Sequence, residues 1–370
     1  MTEKLRDLLH DRAADVDFPT PDLDVLVRAG DQRVRRRRGG VLGGSLAALA
    51  VGAALVVPAL GGDDGGRPDV TDGRGAVSLP LDAASWAEGS VLHAGEASTD
   101  LGVTVRAFVQ TSVGYVVADA DGRVLSVVDG EASEVGVVDS ESPRLVDDHD
   151  SALVGWVDRS EDRPVFVVLD QATGEVVLAD SSGTQPGMSN LADDSDPAYF
   201  YALDGDTAYW RDQRGAVAVD IGSGDVAVID AQARNGFDLI DVQDGVLAFY
   251  GRRGVEVGAS REAASPLPDV QESRGVLSPL ATMYAPDAET ARVVGLNGTE
   301  LQLFVPPDYF FSTVYEWADD ETVRVIALES EDASADLLSC EVATGACELL
   351  VDGAGVEGEL QLPVGANLGG

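Results

Sequence analysis

An aromatic strand terminus returns along this chain at intervals that no single sheet or helical bundle accommodates. Trp156-Val-Asp, Trp210-Arg-Asp and Trp317-Ala-Asp share a pattern, and Tyr115, Tyr250 and Tyr284 fall at comparable places. Successive spacings are 41, 54, 40, 34 and 33 residues, close to 40 on average. A second unit recurs beside the first. It reads Asp170-Gln-Ala-Thr-Gly-Glu, Asp220-Ile-Gly-Ser-Gly-Asp and Glu341-Val-Ala-Thr-Gly-Ala, with looser copies at Asp119-Ala-Asp-Gly and Leu296-Asn-Gly-Thr. The acidic side chain caps such a turn and glycine supplies positive φ, so each copy predicts a β-hairpin. Between these marks lie short β-branched runs, among them Val103 to Val109, Tyr115 to Val117, Val165 to Leu169, Ala216 to Val219 and Val323 to Ala327. They predict strands.

Four strands in about 40 residues, repeated, predict an all-β fold, a β-propeller in which each repeat is one blade. The 293 residues from Ala76 to Leu368 divide by 40 into about seven blades. Six markers are visible, so six blades is the alternative. A seventh would join Ala76–Leu101 to Ala354–Leu368 and close the ring with both ends of the domain. The text resembles WD40-like, TolB-like and pyrroloquinoline-quinone-like propeller repeats over most of residues 76–368. Asp-x-x-Thr-Gly matches the quinone-type repeat in part. Leu178, Ile229 and Leu349 lie at or beside the place where that repeat carries its docking tryptophan.

Ahead of the repeats the chain changes character. Residues 41–60 read VLGGSLAALAVGAALVVPAL, twenty residues without a charge and long enough as a helix to cross about 30 Å of hydrocarbon. Arg35, Arg36, Arg37 and Arg38 precede it. The positive-inside rule then places residues 1–40 in the cytoplasm and the repeats outside the cell membrane. A cleaved export signal is the competing reading. Within residues 1–40, Leu5, Leu8 and Leu9 predict one short helix, and Thr20-Pro21 caps a second that carries Leu23, Leu26 and Val27. Residues 61–75, rich in Gly, Asp and Pro, predict a hydrated tether before the domain at 76–370. The leader, arginine block and membrane helix resemble short-tailed single-pass membrane proteins of actinobacteria, some encoded near extracytoplasmic-function sigma factors. That resemblance implies a signalling role in which residues 1–38 hold a cytoplasmic partner.

Charge sharpens the partner classes. The whole chain has 25 basic and 65 acidic residues, a formal net charge of −40. The first 40 residues hold nine basic and eight acidic side chains, so the remainder carries −41. A nucleic-acid ligand needs a basic face and is excluded. The expected partners are an extracytoplasmic protein or small ligand, membrane lipid along residues 41–60, and cations drawn to the acidic domain.

Little chemistry stands out. Cys340 and Cys347 flank a predicted hairpin and would face each other across it, which predicts a disulfide in an exported domain. Asp147-Asp148-His149-Asp150, Asp193-Asp194-Ser195-Asp196 and Asp319-Asp320-Glu321 could each supply oxygen ligands to calcium, but none has the spacing of a complete calcium loop. No Gly-x-Ser-x-Gly elbow, nucleophile–base pair or cofactor motif is present. The expected role is a non-catalytic binding module, with transmembrane signalling and an exported enzyme as alternatives.

Overall fold

A computed structural model describes residues 79–366, except 149, 193, 195, 196, 236, 237, 252, 253, 273 and 357. The predicted leader, Arg35 to Arg38, the apolar stretch 41–60 and the tether 61–75 lie outside the described residues. Among the described residues no helix is long and apolar enough to cross a membrane.

The described chain is built of strands. The first three are β1 (Ser85–Glu88), β2 (Val91–Ala94) and β3 (Ala97–Asp100). Six meanders of four strands follow. The first blade holds β4 (Val105–Gln110), β5 (Tyr115–Asp119), β6 (Arg123–Val128) and β7 (Glu131–Val137). In the second are β8 (Leu145–Asp147), β9 (Leu153–Asp158), β10 (Val165–Asp170) and β11 (Glu175–Asp180). The third comprises β12 (Tyr199–Asp204), β13 (Thr207–Asp212), β14 (Gly215–Asp220) and β15 (Val226–Asp230). Blade four runs through β16 (Leu239–Gln243), β17 (Val246–Gly251), β18 (Gly254–Gly258) and β19 (Ser265–Pro266). Blade five contains β20 (Gly275–Leu277), β21 (Met283–Pro286), β22 (Arg292–Gly295) and β23 (Glu300–Gln302). The sixth has β24 (Phe311–Trp317), β25 (Thr322–Leu328), β26 (Ala335–Glu341) and β27 (Cys347–Gly355). Finally β28 (Leu360–Gln361) pairs with β1, so the seventh sheet has the order β28-β1-β2-β3.

Seven four-stranded antiparallel sheets therefore form a seven-blade β-propeller, and the six-blade alternative is overturned. The first strands lie side by side around the centre, β4 against β8, β8 against β12, β12 against β16, β16 against β20 and β20 against β24. β28 returns to β4, while β27 meets β1 to join the sixth blade to the seventh. The joint falls where the two ends of the domain were expected to combine.

Apolar burial explains this arrangement. There is no single core. Seven apolar clusters each span two neighbouring blades, because every sheet is apolar on both faces and needs a partner on each side. Between blades two and three, Trp210 stacks on Phe166 at 4.5 Å and 8°, and Phe200 meets the Trp210 ring at 62°. The fourth strands are the exception. Val176, Val228 and Leu349 on β11, β15 and β27 are more than half exposed. Leu349 was expected at a docking position and instead points to solvent, whereas Leu178 and Ile229 pack partly against their neighbouring blades.

The recurrent sequence units sit mostly where the hairpin argument requires. Asp170, Asp220 and Glu341 all open the turn from third to fourth strand, with Gly174, Gly224 and Gly345 at φ of 71–73°. In each, the glycine N–H donates to the carbonyl of the acidic residue, at 2.7–2.8 Å. Trp156, Trp210, Tyr115, Tyr250 and Tyr284 occupy second strands. Trp317 does not, being the last residue of a first strand. The indoles of Trp156 and Trp210 donate to Asp158 and Asp212 two residues on, while Trp317 donates to the Val276 carbonyl. The third Trp-x-Asp is thus a coincidence of letters.

Cys340 and Cys347 form a disulfide across β26 and β27, with Cα atoms 4.0 Å apart. It pins the outer hairpin of the sixth blade.

Candidate functional site

Antiparallel meanders sort the connections to two ends of the ring. Turns between first and second strands, and between third and fourth, lie at one end, here the hairpin end. Turns between second and third strands, and the passages to the next blade, lie at the other, here the crossover end.

The hairpin end is acidic. Around the centre, β8 ends at Asp147 and β12 at Asp204, and Asp241 lies two residues from the end of β16. The first-to-second turns add Asp148 and Asp150, Asp206, Asp244, and Asp319, Asp320 and Glu321. Third-to-fourth turns contribute Glu96, Asp129, Asp225 and Glu262. Arg261 is the one basic residue in the described hairpin-end turns. Its guanidinium stacks over the Phe249 ring at 4.9 Å and reaches Asp230, so it is turned into the cleft between blades three and four.

Several of these carboxylates fasten one blade to the next through main-chain N–H groups. Asp204 accepts from Asp244 and Gly245 at 3.1 and 2.8 Å, Asp320 from Leu280 at 2.6 Å, and Asp241 from Leu277 at 2.7 Å. The Asp241 bond has a clear cause. First strands have an inner edge with no strand beyond it, and their polar main-chain groups need other partners. Arg144 meets the same need on β12 by donating to the carbonyls of Phe200 and Tyr201 at 2.7 and 3.1 Å, with its guanidinium over the Tyr199 ring. On β4 and β8 the task falls to the C-terminal segment beyond β28. There Gly365 donates to the Phe108 carbonyl at 2.9 Å and accepts from the Leu145 N–H at 2.7 Å. Gly365 has φ of 66°, and a Cβ there would strike the Leu145 carbonyl.

Burial shapes the electrostatics of this mouth. Asp241 is deep in the ring although part of its surface stays open, and desolvation pushes its carboxyl up to about 7 against the opposing pull of the Leu277 and Val242 N–H groups and Arg144. Asp148 is pushed up to about 6 by burial, with Asp147 and Asp150 adding to the rise. Both shifts are led by desolvation, so each carboxyl keeps its proton to a higher pH than an exposed aspartate does.

The crossover end is organised differently. Asp119 is buried and paired with Arg123 at 2.6 Å. Asp212, fully buried, holds Arg214, whose guanidinium also reaches Asp180 at 3.3 Å across the blade boundary. Glu272 and Arg292 pair at 2.9 Å. In these pairs arginine and carboxylate neutralise each other.

The acidic clusters picked out in the sequence divide between these ends. Asp147-Asp148 with Asp150, and Asp319-Asp320-Glu321, come to the hairpin end, in turns of the second and sixth blades. Asp194 lies on the passage from blade two to blade three, at the crossover end, while Asp193, Asp196 and His149 are outside the described residues. Among the described residues no group of three or more His, Cys, Asp or Glu side chains is assembled to hold a metal ion. His93 stacks on Trp86 at 4.7 Å, and burial lowers its pKa. Sequence reading missed Asp204, Asp241 and Asp244. Only Asp-Gly turn text at Asp204-Gly205 and Asp244-Gly245 marked the neighbourhood.

No protein-family model matches the chain, and no curated protein matches it in sequence. Among solved structures it is similar to a computationally designed protein, Ika8, at 16% identity over 76% of this chain and 90% of that one, with a TM-score of 0.45. It is also similar to a TolB from Agrobacterium tumefaciens at 12% identity, 77% and 97% coverage and a TM-score of 0.36. A chain of a nidogen/laminin complex aligns at 12% identity over 66% of this chain and 91% of that one, with a TM-score of 0.36.

Proposed function

We propose that this chain is a binding module, a β-propeller held outside the cell membrane by residues 41–60 and using its hairpin end to engage a cationic protein or small ligand. The observation that carries this reading is the imbalance at that end, where exposed carboxylates line the turns and Arg261 is directed elsewhere. A field of one sign over a concave mouth raises the local concentration of opposite charge and speeds encounter.

The described chain also begins at this end. Tyr115 donates to the Pro80 carbonyl at 3.0 Å, and Gln110 to that of Leu81, both beside the first-to-second turn of the first blade. Binding, in this reading, neither breaks nor forms covalent bonds.

The test uses a lysine-rich peptide as probe and the full chain in detergent. Asp150→Asn, Asp206→Asn and Glu321→Gln together should weaken binding about ten-fold at low salt, as expected for about 1.4 kcal/mol of lost attraction. They should also flatten the salt dependence. Equal affinity and equal salt dependence in the variant would refute the hairpin end as the binding face.

A further inference from the structure

The sixth blade carries an apolar patch that neither the ring nor the acidic mouth uses. Phe304 is 62% exposed, Leu349 53% and Leu350 42%. Isolated exposed apolar residues are ordinary, but these converge on one hairpin. Phe304 belongs to the passage leaving blade five. Its N–H donates to the Gly345 carbonyl at 2.7 Å, it bridges to Ala346, and its ring lies over Gly345. Val305, the next residue, packs into the core shared by blades five and six beside Cys347. The main chain is therefore fixed on both sides of a phenylalanine ring that stays in water. Leu349 and Leu350 follow on β27, just after Cys347, and the disulfide to Cys340 holds that strand in register.

Other outer edges are less inviting. β3 is polar, β7 opens with glutamate, and β19 is two residues long and ends in proline. β11 and β15 expose valines, and among the described residues no isolated bridge brings a neighbouring passage onto either of them as Phe304 is brought onto the β27 hairpin.

The occupant follows from shape and charge. Leu350 is the extra residue of a bulge, since Leu337 pairs with Val351 and Leu338 with Leu349. A bulge turns an edge away from addition of another strand, so the patch suits inserted side chains rather than a paired backbone. Exposed Glu300, Glu341, Glu348 and Asp352 surround it. A second copy of this chain would bring that acidic rim against itself, at a net charge of −40 per chain. We propose that the patch of Phe304, Leu349 and Leu350 is a docking surface for a segment of another protein in which leucine or aromatic residues are flanked by lysine or arginine. Such a segment seats its apolar side chains on a rigid centre and its cations on the rim. This surface sits on the outer hairpin of the sixth blade and shares no side chain with the acidic turns of the second and third blades.

A displayed library of random 15-residue peptides, selected against the full chain, tests the idea. Enriched peptides should combine apolar with basic residues. Phe304→Ser with Leu349→Asp should weaken them at least ten-fold, and Glu341→Gln with Glu348→Gln several-fold with a reduced salt dependence. Val176→Asp on β11 should leave them unchanged, and so should Asp150→Asn with Asp206→Asn on the second and third blades. Cys340→Ser with Cys347→Ser should weaken binding while the near-ultraviolet circular dichroism of the ring persists. The proposal is overturned if selection on wild type is no richer than on the Phe304→Ser/Leu349→Asp variant, or if selected peptides bind both equally. A wild-type dimer in sedimentation that Leu349→Asp dissociates would also overturn it, assigning the patch to self-association.

Discussion

The two ends of the ring use one residue type for opposite purposes. At the crossover end, Asp119, Asp212 and Glu272 each face an arginine, and the pairs are partly or fully buried. At the hairpin end, Asp204, Asp241 and Asp320 accept from main-chain N–H groups of the neighbouring blade. A peptide N–H satisfies a carboxylate without cancelling its charge. Aspartate thus acts as a neutralised strut at one end. At the other it is a fastener that still projects its field. The pair Glu316–Arg324 near the hairpin end does not blur this contrast, because it is buried within the sheet of the sixth blade.

Three substitutions can break the comparison or refine it. The largest effect is expected from Asp212→Ala, which leaves the buried Trp210 indole without its acceptor and Arg214 with only Asp180 and Ser182, and should cost about 3 kcal/mol in chemical denaturation. Asp204→Ala removes only two hydrogen bonds from N–H groups in an exposed turn, so about 1–2 kcal/mol is expected. Equal losses at both positions would erase the distinction. The smallest effect, Asp241→Asn, is read as a pH dependence of the melting temperature. Folding raises this carboxyl to about 7, so between roughly pH 4 and 7 the folded chain keeps a proton that the unfolded chain has released. Wild type therefore loses stability relative to Asp241→Asn as pH rises through that window, and the difference levels off above it. The groups facing Asp241 are Arg144, which opposes the shift, and Asp204, which adds to it. A pH-independent difference would place the carboxylate outside the low-dielectric interior.

Much of this fold is legible in the sequence, since a propeller is a local structure repeated. Asp170, Asp220 and Glu341 announce the same turn because each turn is closed within six residues. The cysteine pair is legible for the same reason. What escaped the sequence is long-range. Trp317 shares its letters with Trp156 and Trp210, but its strand position is set by the crowded interface of blades five and six. Leu349 occupies the expected place in the repeat, yet a bulge in the outermost strand leaves it facing solvent. The mouth is harder still to foresee. Asp204 and Asp244 are 40 residues apart and meet only because consecutive blades stack in register. Arg144 serves carbonyls 56 and 57 residues away.

The closing blade has a consequence in time. β28 supplies the first strand of a sheet whose other three strands come before every other described strand of the chain. Leu360 and Leu362 complete the apolar joint between the sixth and seventh blades, so that joint cannot form until the chain has been synthesised past Leu362. Until then β1, β2 and β3 wait with an open inner edge. Six blades can assemble in order as they emerge, but the circle is sealed only once β28 has emerged. A nascent chain that stalls before Leu360 would be left as an open arc, with apolar sheet faces at both tips.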